Sequence, residues 1–456
     1  MRIIIVGCGK VGSAIIEQLS DEGHDIVAVD LDPRIIENLT NAYDVMGVVG
    51  NGTSYKALKE AGIEDTDLLI AVTDSDEQNL LTCLIAKKAG NCQTIARVRD
   101  PELNEEINFI AEELGLSMAV NPEKAAAIEI ARLLRFPAAV QIDTFVKGEV
   151  ELMKFVIPEK SSLVGLALSD IDKTFNNETL ICCIEREGEA IIPNGSFVLN
   201  ALDKVTLVSS SKGLRAFFKQ SGIDIKRINN VLIVGGSKIS VYLCQELADK
   251  HFDLKIIEQD SDRCDELSEL LPNVEIVNSD GTDKKILKQE GIDNVDAFVS
   301  LTGIDEENIF LSLFASKCGK IKVVTKIDRI NYDEVIKDLN LGSIIHPKNI
   351  TAEHIVRYVR AMNNAQGSSQ IETLHEIIKG KIEACSFNVG NEEKIINIPL
   401  AKLNTKEGVL IACIRRGKQI FIPNGQSVIK EGDAIVVVTK KMGIYNLVDI
   451  LDKENA

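Results

Sequence analysis

Six residues near the amino terminus have the types and spacing to hold a phosphate without any dedicated side chain. Gly7-Cys8-Gly9-Lys10-Val11-Gly12 follows the apolar run Ile3-Ile4-Ile5-Val6 and opens a segment whose Val11, Ala14, Ile15 and Leu19 share one helical face. A strand, a glycine turn and a helix in that order make a dinucleotide fingerprint. Gly7 permits the tight turn, Gly9 lets the backbone approach a pyrophosphate, and Gly12 lets helix and sheet pack closely. The unpaired N–H groups and the dipole of the helix start attract the anion. Asp30 closes the next apolar run, where a carboxylate accepts hydrogen bonds from ribose hydroxyls. It also repels a 2′-phosphate, which favours NAD(H) over NADP(H). ATP and ADP carry the same ribose and stay among the candidate ligands.

Other polar residues stand where further strands end. Asn51 follows the third apolar run within Gly50-Asn51-Gly52, Thr73-Asp74 follows the fourth, and Arg97 lies near the end of the fifth. Ligands of open α/β sheets bind at these carboxyl ends. Asn51 and Asp74 are placed to edge an adenine or its ribose, and Arg97 or Arg99 to face phosphate. Asp74, Asp76 and Glu77 are equally suited to capping the helix that begins there.

The elements that position these residues alternate. Strands are expected at Ile3–Val6, Ile26–Asp30, Val45–Val49, Leu68–Val72, Thr94–Val98 and Ser117–Val120, separated by helical patterns, which predicts a doubly wound parallel sheet. Asn121-Pro122 then opens a helix that must stop near Phe136, because Pro137 follows. From 138 to 225 the pattern changes to short strands at Glu151–Ile157, Leu180–Glu185, Ala190–Pro193 and Lys204–Ser209, with a brief helix near Leu166–Ile171. This is a small α+β unit.

The chain then repeats itself. Ile5-Val6-Gly7 returns as Ile233-Val234-Gly235, Asp76-Glu77-Gln78-Asn79 as Asp305-Glu306-Glu307-Asn308, and Ile192-Pro193-Asn194-Gly195 as Ile422-Pro423-Asn424-Gly425, at shifts of 228, 229 and 230. A near-constant offset over whole halves means duplication. Strands are expected at Asn230–Val234, Leu254–Glu258, Val274–Asn278, Ala297–Leu301 and Lys322–Ile327, with a helix opened by His346-Pro347, a linker over 363–369 and a second α+β unit beyond it. The second glycine loop is degenerate. It reads Gly235-Gly236-Ser237-Lys238-Ile239-Ser240, with serines where Gly9 and Gly12 stand, although Glu258 keeps the carboxylate of Asp30. Gly235 and Glu258 remain candidate contacts, but a side chain at Ser237 weakens any pyrophosphate site.

Composition narrows the function. With 456 residues, 45% hydrophobic and 26% charged, the chain is long enough for about four globular domains. Its net charge of −18 excludes nucleic acid as a partner, since phosphate contact needs clustered Lys and Arg, and disfavours direct adhesion to anionic lipid. No apolar run approaches the ~20 residues that span a bilayer, and a strand at the very start leaves no room for a signal peptide. A cytoplasmic protein is expected, reaching a membrane only through a partner. The ten cysteines show no Cys-x-x-Cys spacing and are expected as free buried thiols, with no metal site.

The fingerprint glycines, the terminal Asp30, Gly50-Asn51-Gly52-Thr53, Val72-Thr73-Asp74-Ser75-Asp76-Glu77-Gln78-Asn79 and the hairpin-rich unit that follows, all duplicated, resemble the TrkA family over essentially the whole chain. These are cytoplasmic subunits of Trk-type potassium uptake systems, built from two tandem RCK modules. The resemblance implies Rossmann-like N subdomains at 1–121 and 227–346, connectors at 122–137 and 347–369, and C subdomains at 138–225 and 370–456. It implies a nucleotide site at Gly7, Gly9, Gly12, Asp30, Asn51, Thr73, Asp74 and Arg97 that takes NAD(H), ATP or ADP. It further implies a homotetramer that docks on a Trk-type potassium-transporting membrane subunit and regulates its flux, without enzymatic activity.

Two other functions compete. One is a similar regulator serving another transporter. The other is an NAD-dependent oxidoreductase, which needs a proton donor or acceptor beside the nicotinamide and a substrate domain. Of the five histidines, His24 precedes the second strand and His346 precedes Pro347, while His251, His354 and His375 sit in no recognisable catalytic motif.

Overall fold

The computed structural model describes residues 1–452 except 21, 102, 104–105, 175–178, 224–226, 249–251, 329–335, 337–338, 340, 364–370, 379, 392–393, 441–443 and 445. Of the linker expected over 363–369, Asn363 instead ends the helix Pro347–Asn363, and the remainder, like His251, lies outside the described residues. Strands β1 (Arg2–Val6), β2 (Asp25–Asp30), β3 (Met46–Val49), β4 (Leu68–Ala71), β5 (Gln93–Arg97) and β6 (Met118–Val120) form a parallel sheet ordered β3-β2-β1-β4-β5-β6. Ile3, Ile4 and Ile5 are wholly buried, as a strand covered by helices on both faces requires. Successive connections run outward from β1 in one direction and then from β4 in the other. The crevice at the carboxyl ends therefore opens between β1 and β4.

A second sheet follows, from β7 (Ala139–Phe145), β8 (Val150–Val156), β9 (Thr179–Arg186), β10 (Glu189–Ile191) and β11 (Lys204–Ser209), ordered β10-β9-β11-β8-β7 with every pair antiparallel. The architecture then repeats. β12 (Asn230–Val234), β13 (Asp253–Glu258), β14 (Glu275–Asn278), β15 (Ala297–Ser300), β16 (Lys322–Lys326) and β17 (Ser343–Ile345) form a parallel sheet ordered β14-β13-β12-β15-β16-β17. β18 (Ile371–Ile378), β19 (Ile382–Asn388), β20 (Val409–Arg416), β21 (Gln419–Phe421) and β22 (Ala434–Thr439) form an antiparallel sheet ordered β18-β19-β22-β20-β21.

Like packs with like. One compact unit holds Met1–Leu134 and Ile228–Val356, so both parallel sheets share it, and the other holds Arg135–Arg227 and Arg357–Ala456 with both antiparallel sheets. In the second unit the two sheets bury a common core: Phe145, Leu152, Cys182 and Val208 from one half meet Ile382, Ala412, Val436 and Val438 from the other. The Ile-Pro-Asn-Gly repeats lie beside matching anchors. Arg186 clasps Asp203 through two hydrogen bonds of 2.8 and 2.7 Å, and Arg416 clasps Asp433 at the same two distances.

Most expected strand boundaries moved by a residue or so, and β7, β17 and a helix after β11 were not anticipated. β7 escaped notice because Gln141, Asp143 and Thr144 dilute its apolar pattern, as suits an edge strand paired only with β8. β17 has three residues, too few to show a period. The helix Ser211–Gln220 is capped by Ser210, whose Oγ accepts from Gly213 N at 3.1 Å, and it buries Phe217 and Phe218 against Phe155. The brief helix expected at Leu166–Ile171 runs from Leu168 to Thr174 instead.

Candidate functional site

The first glycine loop is built by three steric demands. Gly7 has φ +88°, and a Cβ there would lie 2.6 Å from Thr73 N. Gly12, in the first turn of the helix Lys10–Ser20, lies so close to the loop that a Cβ would lie 2.1 Å from Gly7 O. Gly9 differs from both, because a Cβ there would meet nothing within 4 Å. Its hydrogen is therefore not required by packing, and Gly9 stands just before the helix Lys10–Ser20, whose first N–H groups have no partner within the helix.

Asp30 ends β2 beside this loop. One carboxylate oxygen accepts from Cys8 N at 2.7 Å and the other from Asp32 N at 2.9 Å, which fixes its orientation and leaves lone pairs for further donors. Not every residue of the fingerprint reaches the crevice. The Cys8 side chain is buried with Sγ 3.6 Å from Val29 O, and burial followed by the nearby Asp30 charge pushes its thiol up to about 12. Val11 is likewise part of the core. Neither side chain is therefore exposed to a ligand, and only the backbone of these two residues is.

The remaining crevice residues are held from behind. Asn51 Oδ1 accepts from Thr53 N and Oγ1 at 3.0 and 2.9 Å. Thr73 donates through N and Oγ1 to Asn79 Oδ1 at 2.8 and 2.7 Å, while Asn79 Nδ2 donates to Thr73 O and Arg97 O. Asn79 is wholly buried and thus ties the ends of β4 and β5 together. The Asp74 side chain is fully exposed, 3.7 Å from Arg97, whose guanidinium also lies 3.2 Å from Glu123. Capping of the helix Asp76–Gly90 falls to Ser75, whose Oγ accepts from Gln78 N. Asp76 instead accepts from Arg99 N and Asp100 N, both at 2.8 Å, and anchors the segment beyond β5.

Sequence reading missed Asn79 and Asp76 as architectural residues, although the signal was present. Both recur, as Asn308 and Asp305. Asn308 binds Thr302 N, Thr302 O and Lys326 O, and Asp305 accepts from Asp328 N. Buried polar residues that return in a duplicated chain are the clamps of the fold.

The second loop keeps the turn and changes the rest. Gly235 has φ +102°, and a Cβ there would lie 2.8 Å from Leu301 C. Glu258 accepts from Gly236 N at 2.6 Å and from Asp260 N at 2.9 Å, matching the hold on Asp30. The longer Glu side chain takes space that Cys8 fills in the first lobe, and a Cβ on Gly236 would lie 2.5 Å from Leu267 and 3.0 Å from Glu258. Ser240 is wholly buried and donates to Gly235 O at 2.6 Å, bridging the contact that Gly12 makes without a side chain. Ser237 caps the helix Lys238–Leu247 by accepting from Ser240 N.

The two lobes face each other through their loops. Lys10 lies 3.5 Å from Asp328, and Lys238, its counterpart at a shift of 228, lies 3.3 Å from Asp100. Each loop lysine thus reaches the segment after the fifth strand of the other lobe. Tyr242 OH donates to Arg99 O at 3.1 Å and accepts from Asn121 Nδ2 at 2.9 Å, and burial raises its hydroxyl to about 12. Of the histidines, His24 is buried at the amino end of β2, away from the crevice, and His346 Nδ1 lies 3.0 Å from Ile327 O. His375 packs edge-on against Phe145 in the other unit.

A glycine loop, a helix start and a strand-end carboxylate meeting at a switch point, present in both halves and each followed by a small antiparallel sheet, define a tandem duplication of Rossmann-type lobes. The TrkA-N domain matches residues 3–122 and 231–347, and the TrkA-C domain matches 152–222 and 386–452. The chain is 30% identical to Trk system potassium uptake protein TrkA homolog 1 of Methanosarcina mazei, over 96% of this chain and 97% of that one. It is 31% identical to the Trk system potassium uptake protein TrkA of Haemophilus influenzae, over 96% and 95%. Among solved structures, the GsuK channel bound to NAD shares the fold, with a TM-score of 0.62, 18% identity, and coverage of 96% of this chain and 77% of that one. The chain belongs to the TrkA family.

Proposed function

We propose that this chain is the cytoplasmic regulatory subunit of a Trk-type potassium transporter, and that NAD(H), with ATP and ADP as competitors, binds the crevice formed by Gly7, Gly9, Gly12, Asp30, Asn51, Thr73, Asp74 and Arg97. The observation that carries this reading is the open space over Gly9 just before the helix, together with the Asp30 carboxylate held on the N–H of the adjoining Cys8. A pyrophosphate fits the former and a ribose diol the latter. Asp30 disfavours a 2′-phosphate, so NADH is the ligand preferred over NADPH. The names of the relatives support a place in potassium uptake, and the NAD held by the GsuK channel, on the same fold, supports the class of ligand.

Two modules, over 1–225 and 227–456, form each subunit, and four subunits supply the eight modules of a ring. No described helix is long and apolar enough to cross a membrane, so the route to the bilayer is a membrane subunit. Nucleotide acts there as an effector: it biases the ring toward whichever arrangement it binds more tightly. The test is potassium flux through the reconstituted membrane subunit in liposomes, with and without this chain. Flux that depends on the chain and shifts with NADH or ATP is expected. Flux indifferent to the chain and to every nucleotide rejects the reading.

A further inference from the structure

The second crevice keeps the carboxylate that holds a ribose and dismantles the site that holds phosphate. It encloses about 380 Å³ between Val234, Ile257, Leu301 and Ile304 on its apolar walls and Glu258 at the end of β13. That is near the lower end of the ~300–1,000 Å³ typical of ligand pockets. Glu258 is oriented by Gly236 N and Asp260 N as Asp30 is by its own pair, so its remaining lone pairs are available to a vicinal diol.

The anion site is altered in three independent ways. Ser237 places a side chain where Gly9 leaves open space, and its Oγ accepts from Ser240 N, occupying a helix-start donor. Two uncharged amides of the first lobe, Asn51 and Gln78, become Asp280 and Glu307 at a shift of 229, and both line the crevice. Thr282, through its hydroxyl and then its backbone N–H, holds the Asp280 carboxyl below the usual range, so it is charged at neutral pH. Arg97 becomes Lys326, whose Nζ is spent on Thr302 O and Asp328, and no Lys or Arg is among the described residues lining the space. Arg263, another cation beside the crevice, is likewise spent on Gly236 O at 2.7 Å and on Glu266. Three carboxylates lining the space repel a polyanion, whereas hydroxyls and a base amino group find acceptors.

We propose that the second crevice binds an uncharged ribonucleoside, with Glu258 accepting from the ribose hydroxyls, and rejects the phosphorylated forms of the same molecule. This rests on reading both lobes as nucleotide folds, but it assigns them different ligands: a phosphorylated one to the first and an unphosphorylated one to the second. A single chain would then sense two chemically distinct signals.

The test is calorimetric titration of the intact chain with adenosine, AMP, ADP and NADH, using wild type, Asp30→Asn, Glu258→Gln and the pair Asp280→Asn with Glu307→Gln. Adenosine is expected to bind once per chain, to be lost in Glu258→Gln and to be untouched by Asp30→Asn. AMP should bind at Glu258 at least about tenfold more weakly than adenosine, from repulsion by two or three nearby carboxylates. The double variant should narrow that gap, a gain of affinity that misfolding cannot produce. The proposal is overturned if wild type fails to bind adenosine, if Glu258→Gln retains it, or if ADP or NADH fills two equal sites per chain. Failure of NADH to bind wild type at all, with adenosine bound as described, instead removes the first-lobe reading and leaves this one standing.

Discussion

Gly9 is the residue on which the first crevice depends, because it is the loop glycine that neither backbone strain nor packing requires. A Cβ at Gly7 or Gly12 collides with backbone, so substitution there confounds folding with binding. Gly9→Val meets open space and should fold normally. It fills the volume a pyrophosphate needs, so NADH affinity should fall at least about a hundredfold, on the order of 3 kcal/mol, with the thermal midpoint nearly unchanged. Titration of the variant with NADH and ATP, beside a melting curve, checks both halves. Affinities equal to wild type reject the crevice as the site. The glycine pattern and Asp30 were legible in the sequence because a backbone demand leaves a residue-type signature. The burial of Cys8 and Val11 was not, since a fingerprint gives spacing and says nothing of which side chains turn inward.

At the scale of elements, sheet order and duplication were readable from apolar runs and offsets, while β7 and β17 were hidden by polar edge positions and by brevity. Charge ladders across strands were also invisible, because they join residues far apart in sequence. Glu185 on β9 reaches Lys154 on β8 at 2.8 Å and Lys204 on β11 at 2.9 Å, so one carboxylate bridges three adjacent strands. Burial pulls its carboxyl upward, but the two ammonium groups outweigh that and hold it at about 2. A carboxyl depressed in the folded state adds stability above its unfolded range and loses it as pH falls toward the folded value. In the second antiparallel sheet the counterpart at a shift of 230 is Arg415, so that ladder is absent there. Glu185→Gln should cost about 1–2 kcal/mol at pH 7 after solvent screening, and the cost should shrink between pH 4.5 and 2. Melting midpoints of variant and wild type across that range decide it, and a difference that stays constant with pH rules out the charge ladder as the cause.

For the molecule as a whole, the paired lobes raise the question of how an occupied crevice is felt elsewhere. Lys10 stands at the helix start where a phosphate would arrive, yet in this structure its ammonium is directed to Asp328 of the second lobe. A bound pyrophosphate and Asp328 therefore compete for one cation, and binding should loosen a contact between lobes. By linkage the reverse also holds, since an interaction that ligand weakens must itself weaken the ligand. Asp328→Asn removes the competitor and should tighten NADH binding about two- to fivefold, the range expected for a half-exposed ion pair. Asp100→Asn frees Lys238 of the second lobe and should leave NADH affinity unchanged, which separates a local electrostatic effect from a general loosening of the lobes. Raising ionic strength should shrink the gain in Asp328→Asn, because a partly exposed pair is screened. The measurement is NADH titration of both variants at two salt concentrations. Unchanged or weaker binding in Asp328→Asn rejects competition for Lys10, and an equal gain in Asp100→Asn assigns the effect to altered lobe packing instead.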